Sequence, residues 1–145
     1  MIVFADSSAL VKLYADERDH QLVRQQGGLV VSALARVEVP AAIWRKHRMG
    51  ELDPMDAAIL VAAFEADYHG GAEDQPRFGV VATTATVLEA AARLVGVHSL
   101  CAYAAVQLAS AKAALEAIPD CRTVAAFDSA LRAAAAKEGF ALLPG

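Results

Sequence analysis

Ile2-Val3-Phe4-Ala5 is a short apolar run that stops at an acid, Asp6, and Ser7-Ser8 then lead into a helical pattern of apolar residues. This reads as a buried strand, an aspartate at its carboxyl end and a helix. The chain repeats the device near its other end, where Thr123-Val124-Ala125-Ala126-Phe127 runs into Asp128 and Ser129-Ala130-Leu131 opens another helix. An acid at the carboxyl end of a buried strand lies on the rim where open parallel sheets bind ligands. Neighbouring strands would bring the two carboxylates together. Both aspartates also read as helix N-caps, worth about 1 kcal/mol each. The spacing does not choose between capping and catalysis, and one carboxylate can serve both.

The segments between these ends alternate. Asp19 to Gln26 reads as a short helix closed by Gly27-Gly28, and Leu29-Val30-Val31 as a second strand. Ser32 is the expected N-cap of a helix from Ala33 to Met49, in which Pro40 removes one backbone hydrogen bond; alternatively the regular helix begins only at Pro40. Either way Glu38 falls near the helix start, close to the sheet rim. Asp53-Pro54-Met55-Asp56 is a strong helix entry, and that helix should run to about Tyr68. After an exposed loop from His69 to Arg77, a third strand covers Phe78 to Ala82. Thr83 or Thr84 caps a helix to about Val95, and another spans Leu100 to Ala117. A strand around Val124, a helix Ser129 to Lys137 and a strand Phe140 to Leu143 complete the chain. Such alternation predicts a parallel sheet covered on both faces. Residues 1–145 read as a single domain, without an internal boundary or a low-complexity segment.

Composition narrows the function classes. The longest stretch without Asp, Glu, Lys or Arg, Leu94 to Ala111, is interrupted by Gly96, His98, Ser99, Gln107 and Ser110, so it reads as a core helix and its approach rather than a membrane span. Asp6 and Lys12 break the apolar N-terminal segment, which argues against a signal peptide and for the cytoplasm. Cys101 and Cys121 form no disulfide framework or zinc pattern and read as buried free thiols, while His20, His47, His69 and His98 are scattered, with surface or capping roles expected. The net charge of -4 provides no general pull toward nucleic acid. No glycine-rich phosphate loop and no Gly-x-Ser-x-Gly elbow is present. What remains is the acidic set Asp6, Glu38 and Asp128. Carboxylate oxygens are hard ligands that suit Mg2+ or Mn2+, and clustered like charges favour a resident cation. Such an ion suits phosphodiester hydrolysis. Arg45-Lys46-His47-Arg48, with Lys12 and Arg36, offers phosphate contacts, although basic residues are also favoured at a helix end by the dipole. Trp44 reads as core or interface.

Four stretches carry a family resemblance: Ala5-Asp6-Ser7-Ser8-Ala9-Leu10-Val11-Lys12-Leu13-Tyr14, Ser32-Ala33-Leu34-Ala35-Arg36-Val37-Glu38-Val39, His98 to Ala111, and Val124-Ala125-Ala126-Phe127-Asp128-Ser129-Ala130-Leu131. In order and spacing they resemble the PIN-domain ribonucleases, and most closely the VapC-type toxins of type II toxin–antitoxin pairs. The resemblance implies a PIN-like three-layer α/β sandwich with a parallel five-stranded sheet. It also implies an acidic cluster that binds Mg2+ or Mn2+ for endonucleolytic RNA cleavage, a homodimer, and a small antitoxin partner. Asp6, Glu38 and Asp128 match three of the family's acidic positions. The fourth does not match: where the family reads Tyr-Asp-Ala-Val-Gln-Leu-Ala, this chain has Tyr103-Ala104-Ala105-Val106-Gln107-Leu108-Ala109. Cys101 also stands where an arginine is frequent. Ala104, whether a natural loss or an introduced substitution, implies an impaired ribonuclease. The alternative is a non-catalytic binding module of the same fold, holding antitoxin or RNA. A phospho-receiver domain fits poorly, because the chain lacks an acid after the third strand and a late lysine.

Overall fold

The computed structural model describes all of residues 1–145. Five strands, β1 (Ile2–Ala5), β2 (Gly28–Ser32), β3 (Phe78–Val81), β4 (Thr123–Ala125) and β5 (Ala141–Leu143), form one sheet in the order β3-β2-β1-β4-β5. Every pairing is parallel. The three inner strands are nearly continuous apolar runs because helices cover both faces. Seven helices supply that cover: α1 (Ser7–Leu10), α2 (His20–Arg24), α3 (Ala35–Arg48), α4 (Pro54–His69), α5 (Ala85–His98), α6 (Ala102–Ala117) and α7 (Ser129–Lys137).

The sheet separates two cores. One face packs Val3, Val31, Ile43 and Phe64 with α3 and α4, and Trp44 lies partly buried at its margin. The other packs Phe4, Leu108, Val124 and Leu131 with α5, α6 and α7, where alanines at 105, 109, 111 and 114 allow close helix approach. This is the expected three-layer arrangement.

Local signals held at several element ends. Asp53 caps α4 by accepting from the Asp56 amide at 2.8 Å, and Thr84 caps α5 by accepting from Val87 at 3.2 Å. Gly139 adopts φ +95 just past α7, a backbone state that favours glycine. Others moved. Ser32 does not cap α3: its Oγ accepts from the Leu34 amide at 3.1 Å in a turn before the helix, which starts at Ala35. Pro40 lies inside α3, so the helix does not wait for it. Asp19 takes a left-handed conformation, φ 63, and α2 begins only at His20. Cys121 is buried as expected, but Cys101 is exposed, because it sits at the open start of α6. The His98 side chain is buried and bonds Glu138 Oε2 at 2.7 Å, a tertiary pairing rather than a surface role. The uncharged Leu94–Ala111 stretch is divided between α5 and α6, which meet at a 117° bend, and no single helix is long and apolar enough to cross a membrane.

Candidate active site

From β1 the chain winds outward to β2 and β3, and it then returns to the other side of β1 for β4 and β5. The gap at the carboxyl ends of β1 and β4 is therefore the point where strand order reverses, the preferred ligand crevice of such sheets. Asp6 follows β1 directly, Asp128 lies just beyond β4, and Glu38 is in the first turn of α3 after β2. Three adjacent strands thus deliver the three acids to one rim.

The aspartates do cap their helices. Asp6 Oδ1 accepts from the Ala9 amide at 3.0 Å and from Ser8 Oγ at 2.7 Å. Asp128 Oδ2 accepts from the Leu131 amide at 2.9 Å. Each cap occupies one oxygen, so Asp6 Oδ2 and Asp128 Oδ1 have no hydrogen-bond partner. Glu38 is held through Oε1, which accepts from Ser7 Oγ at 2.8 Å and Gln107 Nε2 at 2.7 Å, so its Oε2 is also without a partner.

Burial makes Asp6 the unusual member. It is 4% exposed. Desolvation pushes its carboxyl from 3.8 up to about 6, opposed by the bonds from Ser8 and Ala9 and reinforced by the negative charges of Glu38 and Asp128. No three His, Cys, Asp or Glu side chains close into a group that could grip an ion by themselves, however. The sheet brings the acids to one rim but leaves them more open than a closed ligand cage. Uncompensated carboxylates repel, and the fourth position carries no acid. Mg2+ is commonly held by one or two carboxylates with water completing its shell. Three partner-free carboxylate oxygens, one of them on the desolvated Asp6, suit such an ion by chemistry and charge.

Ala104 lies in the first turn of α6, half-buried against the core. Gln107 follows three residues later, so both project from one side of the helix, toward Glu38. A groove of about 610 Å3 runs from Glu38 along α3, lined also by Val37, Ala41, Arg45, Arg48 and Tyr103. The candidate phosphate-binding residues divide on inspection. Lys12 is buried on Glu17 at 3.2 Å and over the Phe127 ring, Arg36 pairs with Glu65, and Lys46 pairs with Glu17. His47 Nδ1 meets the Leu52 carbonyl oxygen at 3.0 Å. Arg45 and Arg48 make no ion pair and line the groove.

Three residues of the rim were not singled out by the sequence. Ser7 and Ser8 read only as a helix entry, yet Ser7 bonds Glu38 and Ser8 joins the two Asp units by accepting from the Phe127 amide at 3.0 Å. Gln107 read only as a polar interruption of an apolar stretch. It is 3% exposed, and its amide reaches both Glu38 and Ser7. An unexplained polar side chain on a buried helical face was the available signal.

No family model matches the sequence, and no curated protein matches it. Solved structures do match over nearly the whole chain. VapC20 from Mycobacterium tuberculosis, a Sarcin-Ricin loop cleaving toxin, aligns with a TM-score of 0.62 and 16% identity, covering 95% of this chain and 95% of that one. FitAcB from Neisseria gonorrhoeae aligns with a TM-score of 0.58 and 15% identity, covering 98% of this chain and 96% of that one. At such identity the likeness establishes architecture: the chain has the PIN-like three-layer α/β fold of which the VapC20 toxin is a solved example.

Proposed function

We propose that this chain is a metal-dependent endoribonuclease of toxin type, and that Ala104 impairs it. The observation that carries the reading is the placement of Asp6, buried at the strand-order reversal, with the like-charged Glu38 and Asp128 brought to the same rim and a partner-free oxygen left on each. Structural groups gain nothing from this repulsion, whereas a cation-binding site uses it. The description of VapC20 as a Sarcin-Ricin loop cleaving toxin supports RNA as the substrate class.

In this reading Asp6, Glu38 and Asp128, each with one carboxylate oxygen free of hydrogen bonds, would hold Mg2+ or Mn2+. When bound, the ion supplies an activated water and offsets charge at the scissile phosphate. Arg45 and Arg48 engage neighbouring phosphates along the groove, which positions the strand without reading its sequence. Alanine at 104 removes a carboxylate that would orient the attacking water, and poor orientation alone is costly in rate.

The chain functions as one domain, 1–145, in the cytoplasm, as a homodimer paired with a small antitoxin protein. Val80 on β3 and Leu88, Val95 and Val97 on α5 are exposed apolar side chains that support a protein-covered surface. Light scattering that finds only monomer at high micromolar concentration would count against the dimer. Co-expression with the adjacent small open reading frame tests the partner.

The decisive experiment is Ala104→Asp. An acid in the first turn of α6 is favoured by the helix dipole, so the variant should fold. It is expected to cleave a labelled RNA panel in Mg2+ or Mn2+, to stop with chelator, and to leave 5′-phosphate and 3′-hydroxyl ends. A gain of roughly 10–100-fold over the alanine protein is expected, the range tied to lost partners at metal sites. A folded, metal-binding Ala104→Asp protein that cuts no RNA would leave a non-catalytic binding module as the better account.

A further inference from the structure

Gln107 is a buried side chain with a fault. Its Nε2 donates to Glu38 Oε1 at 2.7 Å and to Ser7 Oγ at 3.1 Å, while its Oε1 is buried without any partner. Flipping the amide would not help, because it would set Oε1 against the Glu38 carboxylate, acceptor facing acceptor. A buried acceptor left unpaired is destabilising. The surrounding face of α6 is apolar apart from Ser110, whose hydroxyl donates to the Val106 carbonyl oxygen of the same helix, and Leu108, Ala111 and Ala114 lie in the core, so an apolar side chain of similar length would suit the interior better. The stability of the fold does not explain the amide.

The contacts at Glu38 do. Ser7 and Gln107 converge on the same oxygen, Oε1, and leave Oε2 without a partner. Ser7 comes from α1, Glu38 from α3 and Gln107 from α6, so the three-residue clamp joins elements on both sides of the sheet at the rim. A glutamate side chain free to rotate loses much of its value as a ligand, since its rotamer entropy must be surrendered on binding. We propose that Gln107 is a positioning residue of the acidic rim: its amide, with Ser7, fixes the Glu38 carboxylate for a divalent cation, at the expense of its own unpaired carbonyl. The inference rests on the metal-binding reading above.

The test measures two quantities that a purely structural role would move together. Mn2+ affinity is followed by titration calorimetry, and melting temperature is recorded without metal. The proteins, each spanning residues 1–145, are the unsubstituted chain, Gln107→Met, Ser7→Ala and Glu38→Gln, each also in the Ala104→Asp background. Methionine matches the length of glutamine, packs well and removes the orphaned carbonyl. Gln107→Met is expected to melt at the same or a higher temperature yet bind Mn2+ about 10-fold more weakly, the lower end of the effect of losing a supporting partner at a metal site. Ser7→Ala should weaken binding in the same direction, and it keeps the inference testable if the methionine variant folds poorly. Unchanged Mn2+ affinity in Gln107→Met and Ser7→Ala, while Glu38→Gln weakens it, would overturn the clamp and leave the metal reading standing. A Gln107→Met protein that loses stability and affinity together, with Ser7→Ala leaving affinity unchanged, would also overturn it. If neither the unsubstituted chain nor Ala104→Asp binds Mn2+, or Glu38→Gln changes nothing, the metal reading itself falls and takes the clamp with it.

Discussion

The two strand–Asp–helix units are close copies in sequence and unlike in environment. Both aspartates cap a helix through the amide three residues on. Asp6, however, follows the central strand of the sheet and is buried, whereas Asp128 is exposed beyond β4. The helices differ as well: α1 lasts four residues with Ala9 and Leu10 buried, while α7 continues for nine and keeps an open face. The extra serine of the first unit adds a difference. Ser7 and Ser8 both make tertiary bonds, to Glu38 and from Phe127 respectively. The same local device therefore carries an exposed acid in one setting and a desolvated one in the other, and position in the sheet makes the difference.

The largest expected effect is in the pH dependence of stability. Because the folded-state pKa of Asp6 is raised, from 3.8 to about 6, the folded protein holds that proton more tightly than the unfolded chain. The stabilising contribution is fully present below about pH 3.8 and is lost as pH rises through about 6. The two values differ by an amount worth about 3 kcal/mol. Asp6→Asn, which caps equally well, should therefore be more stable than the natural chain by up to that amount at pH 7.5, and the gap should close toward pH 4. Asp128→Asn, which alters an exposed cap instead of a buried one, is the comparison protein. Urea unfolding of the three proteins across that window measures it. Parallel curves for Asp6→Asn and the natural chain would erase the distinction between the units.

Metal binding sharpens the contrast in the opposite sense. Asp6→Asn should lose Mn2+ affinity by roughly 100-fold and Asp128→Asn by roughly 10-fold, the two ends of the range for lost partners at metal sites. Calorimetric titration of the metal-free proteins decides. Equal losses would show that burial does not rank the acids.

Smaller effects separate cap from site. Asp128→Ala should cost about 1 kcal/mol of stability, the usual value of a lost cap. Asp6→Ala at pH 7.5 should cost less or even stabilise, because relief of desolvation offsets the missing cap. At the small end, Ser129→Ala should fall within about 0.5 kcal/mol of the natural chain. Ser8→Ala should cost about 1 kcal/mol by leaving the Phe127 amide unpaired. Chemical denaturation at pH 7.5 orders all four.

Much of the fold was legible because its signals are local. Apolar runs ending in acids marked β1 and β4, and the Asp53-Pro54 entry marked α4. The acids of the proposed site stood out in the sequence for the same reason, since each sits at the end of an apolar strand or at the start of the helix after one. Their partners were not. Ser7, Glu38 and Gln107 meet across separations of 31 and 69 residues, and neither local pattern nor spacing encodes such a meeting. The open groove illustrates the same limit: six basic residues were candidates for phosphate contact, and tertiary ion pairs withdrew Lys12, Arg36 and Lys46.

The amino-acid sequence by itself determined the alternation of strands and helices, the caps, and the absence of a carboxylate at position 104. These depend on periodicity and on hydrogen bonds that span only a few residues. Only the tertiary structure decided that Asp6 would be desolvated and Asp128 would not, because burial is set by which strands flank β1. Only the fold, again, placed the Gln107 amide on Glu38, since that contact exists once α3 and α6 pack on opposite faces of the sheet and meet at its rim. Desolvation and long-range polar contacts are properties of packing, and a strand that reads the same in sequence acquires them only from its neighbours.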